Sequence, residues 1–142
     1  MRMRGEAPSR PRRARSMARR LAAAALTAVV AAACGRTKAE TYRDANALTH
    51  GDAAHGATLI RGYGCGTCHN IAGIPGAVGT VGPPLNGVAG RAYIAGVLPN
   101  TPENMVDWIY NPPAADPQTA MPNLGMSRQE ARDIAAYVYT LK

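Results

Sequence analysis

The sequence predicts an all-α domain wrapped around something other than polypeptide. Helical periodicity recurs in three segments, and no run alternates apolar and polar residues with the β-branched enrichment of a strand. A Gly/Pro-rich stretch over about residues 70–100 separates the first two helices. So much irregular chain is uncommon in a compact domain unless something large organises it. Three short helices also supply little apolar surface for a domain of this size. The polypeptide lacks a centre, which implies a bound one.

Each helix carries its own punctuation. The first is expected over about Asp52 to Gly62, with Leu59 and Ile60 on its apolar face. The second begins at "TPENMVDWIYNPP". Thr101 can cap it, Pro102 suits a first position whose N–H has no partner anyway, and Pro112 and Pro113 stop it. The third is "SRQEARDIAAYVYTLK", where Ser127 and Glu130 have the spacing of a capping box. Ala131, Ile134, Ala135, Val138 and Leu141 then form an i, i+3, i+4, i+7, i+10 stripe.

The chain has 142 residues and a net charge of +7, but the charge is localised. Eight arginines fall within residues 1–33 against the single acid Glu6, so the remainder has eight bases and eight acids. A nucleic-acid partner loses its main support. Arginines followed by Leu21 to Ala33, apolar apart from Thr27, read as an export signal. Thirteen residues are too few to span a bilayer, which needs about 20. "AAAC" before Gly35 resembles a lipoprotein box, with Cys34 as the lipidated first residue and a membrane tether. Cleavage nearby that leaves Cys34 an ordinary thiol is the other reading. Residues 34–50 are polar and without clear periodicity, and are expected to form a tether ahead of a domain at 51–142.

"CGTCH" at 65–69 admits three readings. A structural zinc site needs four ligands, and Cys34, His50 and His55 do not form the second pair. A redox dithiol is expected beside a strand–helix–strand pattern, which is absent. There remains covalent haem attachment, with Cys65 and Cys68 as thioethers and His69 on the iron. The spacing lets both sulfurs reach one porphyrin edge while the imidazole points at its centre. One haem c would supply the missing core.

A second axial ligand would make an electron carrier rather than a gas-binding or peroxide-activating site. Met105 lies on an apolar helix face, and Met126 precedes the Ser127 cap, where a hydrophobic staple onto Ala131 explains it. Met121 lies in the loop "DPQTAMPNLG" with no helix to serve. Met121 is the expected ligand and Met126 its rival.

"GCGTCHNIAG", "GPPLNGVAGR", "NTPENMVDWIYNP", "TAMPNLGMS" and "EARDIAAYVYTL" together resemble a class I c-type cytochrome. They are similar to bacterial mono-haem proteins and to the haem domain of some oxidase subunit II chains. The resemblance covers residues 51–142. It implies three main helices and Gly/Pro-rich loops around one covalent haem, with the first and last helices crossing. It further implies that Pro83 accepts a hydrogen bond from His69, and that Arg91 and Thr119 face haem propionates. Trp108 would lie beside the haem, and Gly56 and Tyr137 would meet at the helix crossing. The plain alternatives are a turn proline, a solvated arginine and a core tryptophan. Only Lys38 and Lys142 remain as lysines beyond the signal, so a lysine-ringed docking face is not expected.

The expected function is one-electron transfer in a periplasmic or membrane-associated respiratory chain, between redox protein partners and without enzymatic turnover. The alternatives are a haem subunit of a larger dehydrogenase or oxidase, and a haem enzyme or gas sensor with a labile sixth ligand.

Overall fold

Ser127, Thr101 and Asp52 each start a helix in the computed structural model, which describes residues 35–142. The export-signal expectation and that for Cys34 lie outside the described residues. The Asp52 carboxylate accepts the Ala54 and His55 N–H groups at 2.8 and 3.2 Å. The Thr101 hydroxyl accepts from Asn104 at 3.3 Å. Ser127 and Glu130 form the full capping box, at 3.2 and 2.7 Å. Each cap satisfies N–H groups that the helix itself leaves without partners.

One expectation is corrected. Much of the segment read as a tether, residues 34–50, is an ordered helix, α1 (Lys38–Thr49), with its own Thr37–Glu40 capping box. Ala45 and Thr49 are buried against the rest of the domain. The Thr49 hydroxyl donates to the Ala45 carbonyl at 3.1 Å, so it enters the interior satisfied. Asn46 Oδ1 accepts the Ala53 N–H at 2.7 Å, which caps the next helix from α1. Only Ala45 and Thr49 of this helix are fully buried, too few to leave a conspicuous apolar stripe, hence the misreading.

The later helices are α2 (Ala53–Gly62), α3 (Pro102–Tyr110), the short α4 (Pro112–Ala115) and α5 (Arg128–Tyr139). Helix α3 ends ahead of Pro112, as expected, and the same proline begins α4. A two-residue antiparallel pair, β1 (Tyr93–Ile94) with β2 (Leu98–Pro99), is too short to leave an alternating pattern. The architecture is predominantly helical.

Helix α5 is the hub, in contact with α1, α2 and α3. Its predicted stripe is buried throughout, from Ala131 to Leu141. Helices α2 and α5 approach so closely at Gly56 that a Cβ there would overlap the Asp133 backbone. Gly56 therefore meets the α5 backbone at Asp133 and Ile134, one turn before Tyr137. Asp133, buried at the same crossing, accepts the Asp52 N–H at 2.8 Å and the Gln129 side chain at 3.0 Å. His55 is half-exposed but places Nδ1 2.8 Å from the Asp133 carboxylate. Arg132 ties α1 to α3 by donating to the Thr49 carbonyl at 3.0 Å and to Glu103 at 3.1 Å.

Candidate functional site

The buried apolar side chains of α2, α3 and α5 surround a cavity of about 640 Å³. That is within the range of small-molecule and cofactor sites. Ile60, Ile71, Val88, Ile94, Ile134 and Val138 supply much of its apolar wall. A chain of this length would ordinarily fill such a space with its own side chains.

On one side of the cavity the chain leaves α2 through Gly64, in the left-handed region at φ 70°, and makes one 3-10 turn over Cys65–Thr67. The Cys68 and His69 N–H groups both return to the Cys65 carbonyl, at 3.2 and 3.0 Å. That single turn brings Cys65, Cys68 and His69 to the same cavity. Both cysteines are free, half-buried thiols. Burial pushes the Cys65 thiol above its usual value, which is opposite to the activated thiolate of a redox dithiol. Among the described residues no group of three or more His, Cys, Asp and Glu could hold a metal ion, so a zinc site finds no partners there.

A second segment runs alongside the first. The Gly79 N–H donates to the Gly66 carbonyl at 3.0 Å, Gly82 to Cys68 at 2.8 Å and Leu85 to Asn70 at 2.9 Å. Between them, His69 Nδ1 donates to the Pro83 carbonyl at 2.7 Å. A carbonyl can only accept, so Nδ1 carries the proton of this contact, and the neutral ring in that tautomer has its lone pair on Nε2. The expected role of Pro83 thus has its geometry.

The remaining predicted residues all line the cavity. Trp108, 8% exposed, and Met105 come from the apolar face of α3. Met121 comes from a loop organised by its own side chains: the Asp116 carboxylate accepts the Gln118 N–H at 3.0 Å, and the Thr119 hydroxyl accepts the Met121 N–H at 3.2 Å. Met126, buried at the start of α5, also reaches the cavity. Arg91 Nη2 donates to the Pro84 and Asn86 carbonyls at 2.6 and 3.1 Å, so it also organises the loop after Pro83. Thr119 and Arg91 each have a structural partner besides the role the resemblance implies.

Sequence reasoning passed over Gly82, where a Cβ would overlap three atoms of the His69 ring. Its place immediately before Pro83 was the available signal. It also passed over the mouth. Val81, Tyr93 and Leu124 line the cavity while remaining 79%, 59% and 38% exposed. Arg91 is the only formally charged residue between Gly62 and Pro102.

A helical domain whose apolar cavity is edged by a C-x-x-C-H turn defines a haem-binding class of protein. The family model for cytochrome c matches residues 53–142, and the chain belongs to that family, whose members bind covalent haem c with its iron. No curated protein matches the chain at a significant level. The residues present fit the group: two thiols and an imidazole with a free Nε2 converge on a cavity that the polypeptide leaves open at its own centre.

Proposed function

We propose that this protein is a single-haem electron carrier of the class I type, exported and working in a respiratory chain at or near the membrane. One observation carries the reading: Cys65, Cys68, His69 and Met121 line one apolar cavity, with His69 oriented by Pro83. Haem c, when bound, supplies one iron that gains or loses a single electron. The chain's own residues hold and shield it. Cys65 and Cys68 would hold it covalently, and His69 Nε2 and the Met121 sulfur would be the donors to its iron. The Pro83 carbonyl keeps the imidazole in the tautomer that donates, which strengthens the ligand. Arg91 and Thr119 would face the propionates, and Trp108 would flank the ring.

The apolar walls would shield the group from much of the solvent, which would disfavour the extra positive charge of oxidised iron. With methionine as the softer ligand, this would raise the reduction potential. The arginine-rich opening with Leu21 to Ala33 supports export to the periplasm, and Cys34 is the candidate lipid attachment point. Partners are redox proteins. The nearly uncharged mouth around Val81, Tyr93 and Leu124 supports contact through apolar surface, with weak salt dependence, since long-range steering needs unbalanced charge.

The test is direct. Oxidised holoprotein should show a far-red iron–sulfur band, and reduced protein should ignore carbon monoxide. A carbon monoxide complex formed at once by the wild type would overturn the carrier reading. Intact mass would report one haem, the cleavage site and any acyl chains on Cys34.

A further inference from the structure

Helix α1 precedes the region matched by the family, residues 53–142, and electron transfer as described above makes no use of it. Its one aromatic residue nevertheless packs against the core of the family domain. Tyr42 meets Tyr137 edge-on, with ring centroids 6.3 Å apart and planes at 81°. Tyr137 is buried, and its hydroxyl donates to the Ala72 carbonyl at 2.8 Å. The same hydroxyl lies against Gly73, where a Cβ would sit 2.6 Å from it.

Ala72 belongs to the loop that backs the attachment turn. Its N–H donates to Asn86 Oδ1 at 3.0 Å, and the loop closes through the Ile71 N–H on the Ala77 carbonyl at 3.1 Å. Ala77 rests on Gly66, between the two cysteines, where a Cβ would lie 2.7 Å from the Ala77 Cα. A continuous set of contacts therefore leads from α1 to the Cys65–His69 turn.

We propose that Tyr42 is a positioning residue for the proximal side of the site. It holds the Tyr137 ring so that its hydroxyl pins Ala72, and the 71–77 loop in turn holds the attachment turn against Gly79 and Gly82. This rests on His69 being the iron ligand. An edge-to-face pair is worth about two- to tenfold in an equilibrium constant, which sets the size of the effect.

The experiment uses the mature holoprotein and three variants: Tyr42→Leu, which keeps apolar bulk but loses the ring edge, Tyr42→Phe, which keeps it, and Tyr137→Phe. Amide exchange is followed at Ala77 and Gly79, with Ile134 in α5 as the internal control, together with the reduction potential. Tyr42→Leu is expected to speed exchange at Ala77 and Gly79 between about two- and tenfold, to leave Ile134 unchanged and to shift the potential. Tyr42→Phe should match the wild type. In a Tyr137→Phe background the Tyr42→Leu effect should disappear, because the hydroxyl it acts through is gone. Unchanged loop exchange, equal acceleration at Ile134, or an effect that persists without the hydroxyl would each overturn the proposal. A loop response with an unshifted potential would overturn it too, while leaving His69 as ligand intact. Loss of the haem spectrum's axial signature in a His69 variant tests that assignment separately.

Discussion

Gly82 lies against the imidazole of His69 so closely that any side chain there would occupy the space of the ring. The contact is held from both ends: the Gly82 N–H is bonded to the Cys68 carbonyl at 2.8 Å, and the neighbouring Pro83 carbonyl holds His69 Nδ1 at 2.7 Å. The backbone thus grips the imidazole by one face and one nitrogen.

Gly82→Ala should therefore disturb the ring rather than only the fold. A forced methyl in a packed site costs about 1–3 kcal/mol. The expected outcome is a lowered thermal midpoint together with a shifted reduction potential and altered ferric spectrum. A stable Gly82→Ala protein with wild-type spectrum would show that the ring does not depend on this contact.

The two loop methionines should separate cleanly. Met121, half-buried, should lose the far-red band when replaced by alanine, with a modest effect on stability. Met126 is 4% exposed and part of the core, so Met126→Ala should keep the band while costing about 2–5 kcal/mol. Denaturant unfolding and the oxidised spectrum of both variants check this, and the reverse assignment of the band would make Met126 the ligand.

Helix α1 should contribute to stability even though it precedes the matched family region. Asn46→Ala removes the acceptor of the Ala53 N–H, a bond of 2.7 Å. A loss of about 1 kcal/mol is expected, or roughly 4–8 °C in Tm for a domain of this size. An unchanged midpoint in calorimetry would mean that α1 is not coupled to the fold.

The Glu130 carboxyl is held below its usual range, chiefly by the Ser127 backbone N–H, then by the Ser127 and Tyr63 side chains. A group whose folded value is depressed stabilises above its unfolded value, and that contribution fades as pH falls through the folded one. Glu130→Ala should thus lower the urea midpoint at neutral pH, with the gap to wild type closing in acid below the ordinary glutamate range. A gap independent of pH would assign the loss to something other than this carboxylate.

Much of the site was legible because its chemistry is local. Two cysteines and a histidine within five residues can reach one bound group only if a single turn presents them, and the turn at Cys65–Thr67 brings all three to one cavity. The helix starts at Asp52, Thr101 and Ser127 were equally local, since a cap is satisfied within its own first turn. The stripe on α5 could be read because one long face is buried against several neighbours. Helix α1 could not, because Tyr42, Ala45 and Thr49 acquire their meaning from Tyr137 and Arg132, far along the chain. Gly82 was hidden for the same reason: a missing side chain gives no sign of what fills its place.

By itself, then, the amino-acid order determined the C-x-x-C-H spacing, the starts of the three main helices of the family domain and the need for a bound centre. Each of these depends on contacts spanning only a few residues or on bulk composition. Tertiary structure alone decided that α1 joins the domain, that Gly82 packs against the His69 ring, and that Met121 and Met126 reach one cavity. Those outcomes rest on which distant surfaces exclude water together, and exclusion of water is a property of the folded pair rather than of either segment.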